Sequence, residues 1–163
     1  MSKVITDEAR ALIGADLGTM TIEVDKSATR KYASAIRFPN VPEPRYVDQE
    51  AASKGRWGGL IAPITFSTSI PWLGPILEKV NPTMGKYRVG LNGGNEYEYR
   101  APIRPGDVLT AHPKLAGLDE KPRDDGGVML VMLLQCDIEN QRGEEVLTAR
   151  QTLLRIYGPE NLQ

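Results

Sequence analysis

Pro63-Ile64-Thr65-Phe66-Ser67-Thr68-Ser69-Ile70-Pro71-Trp72-Leu73-Gly74-Pro75-Ile76-Leu77-Glu78-Lys79-Val80 is the most apolar long stretch of a 163-residue chain. Its large apolar residues, Ile64, Phe66, Ile70, Trp72, Leu73, Ile76, Leu77 and Val80, recur at spacings that suit a buried helix. Pro71, Gly74 and Pro75 interrupt regular hydrogen bonding in the middle, so the stretch predicts one helix followed by a second, short one. Downstream the period changes. Segments 87–92, 95–101, 108–118, 128–140 and 145–157 read as strands, with turn signals at Arg104-Pro105-Gly106-Asp107, at 121–127 and at Asn140-Gln141-Arg142-Gly143. Long antiparallel strands in succession make a sheet with one hydrophobic face, and the apolar helical segment is the object to bury against it. The expected fold class is therefore α+β, a curled antiparallel sheet wrapped around a central apolar helix.

Upstream, Thr21-Ile22-Glu23-Val24-Asp25 alternates like a strand, and Ser27 is the expected N-cap of a short helix reaching about residue 36. Pro39, Pro42 and Pro44 make 38–45 an extended loop, because each removes a donor and biases its predecessor away from helix. Residues 48–53 have room for one or two helical turns.

The length suits one domain, 1–163, able to bury a core without disulfides or a metal. Net charge is −1 with acids and bases mixed along the chain, which argues against a nucleic-acid footprint or a polybasic membrane anchor. A polyanionic partner has to be held locally, by a few residues. Segment 1–15 is polar and lacks a signal-peptide core, and no later run reaches membrane-spanning length, so a cytoplasmic location is expected. Cys136, the single cysteine, sits in the strand-like run Val131-Met132-Leu133-Leu134-Gln135-Cys136 and reads as a small core residue. One histidine and one cysteine with no paired spacing give no metal site, and no metal or redox cofactor is expected.

Between Tyr32 and Phe66 the chain carries Tyr32-Ala33-Ser34-Ala35, then Pro44-Arg45-Tyr46-Val47-Asp48, Ala51-Ala52 and Gly58-Gly59-Leu60-Ile61-Ala62-Pro63. This frame resembles the signature region of the MaoC-like (R-specific enoyl-thioester hydratase) family. A second stretch, Gly93-Gly94-Asn95-Glu96-Tyr97-Glu98-Tyr99-Arg100 leading into Pro102-Ile103-Arg104-Pro105-Gly106-Asp107, resembles the N-terminal, non-catalytic half, or accessory subunit, of two-part hydroxyacyl-thioester dehydratases. The two matches cover most of 22–157. The resemblance implies a hotdog fold and an acyl thioester of coenzyme A or acyl carrier protein as substrate. It also implies an Asp/His dyad for proton transfer and oxyanion donors from backbone amides at the start of the central helix. Aligned on Val47-Asp48, the histidine position holds Tyr46, and Ile36-Arg37-Phe38-Pro39-Asn40-Val41, where the aspartate belongs, contains no acid.

The remaining chemistry-bearing residues each have a bland reading beside the functional one. Tyr46 is a candidate acid, yet an unperturbed phenol titrates near ~10 and is a poor base at neutral pH. Asp48 and Glu50 are candidates for thioesterase-like chemistry, with helix capping the simpler role for Asp48. Glu96 and Glu98 share a strand face and read as a solvated pair or as acid and base. His112 reads as a surface or edge-strand residue. Arg37, Arg45 and Arg56 lie in loop-rich sequence near the site mouth, where phosphate groups would need them. In Lys54-Gly55-Arg56-Trp57-Gly58-Gly59 the glycines permit close backbone approach and Trp57 offers a flat apolar wall. The expected substrate contacts are thus Arg37, Arg56, Trp57, Gly58, Ile64 and Thr65, with Ile64 and Thr65 opening the apolar helix.

The reading that fits best is an accessory subunit of a hydratase or dehydratase, shaping the acyl channel while a partner hotdog chain supplies Asp and His. Two others stay open: a self-sufficient homo-oligomeric acyl-CoA thioesterase or hydratase using Asp48, Glu50 or Tyr46, and a non-catalytic acyl-thioester binding module. Neither nucleic acid nor membrane is an expected partner.

Overall fold

In the computed structural model, which describes residues 4–162, five antiparallel strands form one sheet in the order β1-β3-β4-β5-β2. They are β1 (Met20–Glu23), β2 (Val89–Tyr99), β3 (Val108–Pro122), β4 (Val128–Asn140) and β5 (Glu145–Tyr157). Residues 1–3 and 163, which belong to the expected 1–163 unit and in part to the polar 1–15 segment, lie outside the described residues. The central strand β4 shows why the sheet has two faces. Leu130, Met132, Leu134, Cys136 and Ile138 are buried, while Leu133 between them is exposed and Gln135 and Asp137 are half-buried.

The buried face is covered by helix α5 (Gly74–Val80), whose Ile76 and Val80 have no exposed surface and join the same core cluster as Leu109, Leu115, Leu134 and Leu147. The chain has the hotdog fold, a curled antiparallel sheet around an apolar helix, with the sheet left unclosed at β1 and β2. Among the described residues no helix is long and apolar enough to cross a membrane.

Before the sheet's long strands come α1 (Asp7–Ala11), α2 (Lys26–Arg37), α3 (Pro44–Val47) and α4 (Gln49–Ser53). Helix α1 was not foreseeable from its polar composition; Thr6 caps it by accepting from the Ala9 amide at 3.0 Å, and Ala9 is buried. Asp25, rather than Ser27, caps α2, its carboxylate accepting from Ala28 N at 2.7 Å. Helix α3 replaces the end of the expected 38–45 loop. Pro44 occupies its first turn, where a missing N–H costs nothing and the fixed φ already suits a helix.

The apolar stretch departs from expectation in its first half. Ile64–Ser69 is a 3-10 segment instead of an α-helix. Three successive hydroxyls tighten it: Ser67 donates to Ile64 O at 3.2 Å, Thr68 to Thr65 O at 2.8 Å and Ser69 to Phe66 O at 2.7 Å. Side chains bonding i−3 carbonyls in this way compete with regular α-helical hydrogen bonding. The second half is the short helix expected.

Two corrections concern the sheet. The segments expected as separate strands at 87–92 and 95–101 are one strand, β2, and Gly93-Gly94 is a bulge within it. A methyl group at Gly93 would come within 3.1 Å of Thr152 Cγ2 and 3.2 Å of Leu154 Cγ, tight enough that these side chains would have to shift by a few tenths of an ångström. Strand β3 runs on past Leu118 to Pro122, held by pairing of Glu120, Lys121 and Pro122 with Leu130, Met129 and Val128. It carries its own bulge between Leu115 and Gly117. Both bulges fall in one row across the sheet, Gly117-Leu133-Thr152-Gly94, where each adds local twist and lets the strands curl over the helix.

Truncating Ile76 to alanine leaves a cavity between helix and sheet and is expected to cost ~2–5 kcal/mol. Urea unfolding followed by far-UV circular dichroism checks this: the midpoint falls while the slope is unchanged, and an unaltered midpoint would contradict the packing described.

Candidate functional site

The segment entering the 3-10 turn, the loop after β2 and helix α3 enclose a cavity of about 370 Å³. Ile61, Ala62, Pro63 and Ile64 form one wall, and Ala101, Pro102 and Ile103 face them. The walls are tied by backbone bonds: Ala62 N donates to Ile103 O at 2.8 Å and Ile61 N to Arg45 O at 3.3 Å. Arg45 and Tyr46 enter from α3, and Trp57 from the loop after α4. That loop is pinned by Arg104, whose guanidinium donates to Trp57 O at 2.8 Å. Ile64, at the opening, is 62 % exposed, which is unusual for an isoleucine beside a core helix.

Charge at the rim is cationic but neutralised from behind. Arg45 pairs with Glu43, which raises its pKa chiefly through that hydrogen bond, and its guanidinium lies 5.2 Å from the Tyr46 ring centre. Arg100 is held by Glu145 at 2.9 Å and Glu98 at 3.0 Å. Arg56 stacks on Trp57, 4.7 Å from its centre, outside the cavity proper.

Two tyrosines fasten the 3-10 segment. Tyr32 donates to Thr65 O at 2.8 Å and meets Phe66 edge-on at 5.5 Å. Tyr99, which lines the cavity, hydrogen-bonds both Ile64 O and the hydroxyl of Ser67, a residue only 1 % exposed. Burial pushes the phenols of Tyr99 and Tyr97 up, so both are neutral at physiological pH. With the carbonyl side of the turn satisfied, the amides of Ile64 and Thr65 find no acceptor among the described residues, since Pro63 caps the turn without a side-chain bond.

The expected site residues divide cleanly. Tyr46, Trp57 and Ile64 line the cavity together with Arg45, and Arg56 covers Trp57 from outside. Thr65 lies next to the opening with its side chain exposed, and its carbonyl serves Tyr32. Gly58 shapes the loop at φ +63° without lining the cavity, and Arg37 is exposed at the end of α2, also away from the lining. Asp48 caps α4, accepting from Glu50 N at 2.9 Å and Ala51 N at 3.1 Å, and Glu50 pairs with Lys54 at 2.7 Å; both carboxylates are exposed. Glu96 and Glu98 both reach Arg150, at 2.7 and 3.4 Å. His112 is exposed and 3.6 Å from Glu139. Cys136 is fully buried, and burial pushes its thiol up to about 12.

Tyr99, Arg100 and the apolar wall at Ala101–Ile103 were not singled out from the sequence. The signal was present in the strand period: if Glu96 and Glu98 face outward, Tyr97 and Tyr99 must face the helix. The assembled lining offers two guanidiniums, two phenols, an indole and apolar surface. Among the described residues it offers no carboxylate and no imidazole, so it can bind, orient and exclude water but has no group placed to accept a carbon-bound proton near neutral pH.

A family model described as "FAS1-like, dehydratase domain region" matches residues 11–149. A UPF0336 protein of Streptomyces avermitilis is 29% identical over 128 residues, spanning 78% of this chain and 80% of the relative. Among solved structures, the MaoC-like dehydratase from Rhodospirillum rubrum is similar at 25% identity and TM-score 0.59, over 86% of this chain and 90% of that one. A chain of the ChsH1-ChsH2 complex from Mycobacterium tuberculosis shares the fold at TM-score 0.71 and 18% identity, over 95% of this chain and 92% of that one.

The roles of Asp48 and Cys136 are open to direct measurement. Asp48→Ala should cost about 1 kcal/mol and Asp48→Asn little, as for a helix cap, read as shifts in thermal midpoint. The Cys136 thiol should stay unmodified by Ellman reagent in the native protein near neutral pH and react at once in denaturant; prompt native reaction would contradict its burial.

Proposed function

The chain belongs to the FAS1-like dehydratase-region family, and from that premise we propose that it is the accessory, substrate-channel subunit of an R-specific enoyl-thioester hydratase or 3-hydroxyacyl-thioester dehydratase. The observation that carries this reading is the cavity itself. It stands where the family's signature frame converges, at Tyr46 and Ile61–Ile64, yet its lining brings no proton-transfer carboxylate or imidazole. A partner hotdog chain then supplies the Asp and His.

Reversible hydration of an enoyl thioester needs a base for the α-carbon proton, an acid for the β-hydroxyl and donors for the developing enolate oxygen. This chain's share is positional. Trp57, Tyr46, Ile61 and Ile64 give the acyl group apolar walls and keep bulk water away from it. Arg45 and Arg56 stand at the rim, where the phosphates of a coenzyme A or carrier-protein arm pass. The proton moves on the partner's residues. No metal or redox cofactor enters the scheme.

Assembly with a partner draws support from two sides. The ChsH1-ChsH2 complex, similar in fold, pairs two differently named chains. Strand β2 is also an edge of the sheet, with no strand paired to its outer side among the described residues and Val89 and Leu91 about half exposed.

The test is to purify the chain alone, and again after co-expression with a hotdog chain carrying Asp-x-Asn-Pro-x-His, and to follow hydration of crotonyl-CoA by loss of its conjugated absorbance. Turnover is expected only with the partner; full turnover by the chain alone overturns the assignment and returns Tyr46, Asp48 and Glu50 to consideration. In the active pair, Trp57→Ala should lower kcat/KM about tenfold, the effect of losing roughly 1.5 kcal/mol of aromatic contact.

A further inference from the structure

We infer that Tyr99 is the partition that sets how long an acyl chain this subunit accepts. The inference rests on the cavity being the acyl site. Tyr99 is the last residue of β2, and its ring crosses from the sheet to the 3-10 segment, where its hydroxyl is bonded to Ile64 O and to the Ser67 hydroxyl. On one side of the ring is the cavity. On the other is a cluster of aromatic residues that do not line it: Tyr97, stacked on Tyr99 with centres 6.4 Å apart, and the Tyr32–Phe66 pair.

The partition is fixed, not hinged. The phenol bridges Ile64 O and the hydroxyl of Ser67, itself 1 % exposed, so swinging it aside would break two hydrogen bonds and leave those groups only their own 3.2 Å contact. The cavity, about 370 Å³, is at the small end of the range for small-molecule sites. A short acyl group fits in front of the ring, and a longer one meets it. Beyond the ring lie Tyr97 on β2 and Tyr32 on α2, both only half-buried where they pack against the core. Removing the ring therefore joins the cavity to a region that can admit further methylenes.

The experiment is a binding series with butyryl-, octanoyl- and palmitoyl-CoA, measured calorimetrically on the full chain in complex with its co-purified partner. The common carrier arm cancels between ligands, leaving the acyl length as the variable. The wild type should bind butyryl-CoA at least tenfold more tightly than palmitoyl-CoA. Tyr99→Ala should remove or reverse that gap. Tyr99→Phe keeps the ring and should keep the cut-off. Should Tyr99→Ala fail to fold, as judged by near-UV circular dichroism, Tyr99→Leu removes the aromatic width while preserving apolar contact. The same length profile in the wild type and in the folded ring-deleted variant overturns the inference but leaves the accessory function standing. Absence of binding for every acyl-CoA to every variant, with the partner present, overturns both.

Discussion

An antiparallel sheet with one apolar face has to cover that face, and here the cover is small: a seven-residue helix and a six-residue 3-10 turn. A helix of that length does not persist alone in water, because nucleation costs more than so few hydrogen bonds return. Helix and sheet therefore form together or not at all. Ile76 and Val80 fill the space against Leu109, Leu115, Leu134 and Leu147, and the sheet must curl to close around so short an object. The two bulges in one row, at Gly93 and near Ala116, give it that curvature.

The site inherits its shape from this arrangement. Because the apolar stretch begins as a hydroxyl-tightened 3-10 turn, Ile64 is turned outward, and carbonyls at the start of the turn become available to Tyr32 and Tyr99. A regular α-helix would have used those carbonyls in its own ladder. Tyrosine from the sheet and tyrosine from α2 thus lock a segment whose leading amides find no acceptor among the described residues. Meanwhile the carboxylates that could have done proton chemistry are committed elsewhere, Asp48 to a helix cap and Glu96 and Glu98 to Arg150.

The strongest periodic patterns in the sequence translate directly into structure. Alternation over 128–140 and 145–157 becomes β4 and β5 with the same bounds, and the apolar stretch becomes the covered helix. What period cannot convey is competition between local hydrogen bonds. Ser67, Thr68 and Ser69 sit at positions compatible with a helix, and their choice of i−3 carbonyls appears only in three dimensions. Gly93-Gly94 carries a turn signal, but the pairing of β2 with β5 on both sides of it makes a bulge the better use of the same flexibility. For the site, the motif frame led to Tyr46, Trp57 and Ile64. Arg37 is near the frame in sequence, but the helix carries it away from the cavity, and Tyr99 lies on the face of β2 opposite Glu96 and Glu98.

The two margins of the sheet are unequal. Among the described residues no strand pairs with the outer side of β2, which is eleven residues long, whereas β1 at the far margin is only four. The long margin is one continuous strand, whereas the far margin steps from the four residues of β1 to the part of β3 beyond Ala111. Two such molecules meeting margin to margin by a two-fold axis would use up both long edges, and growth would stop there. The asymmetry thus works like a keyed joint: a straight strand fits the continuous margin along its whole length, and meets a step on the other.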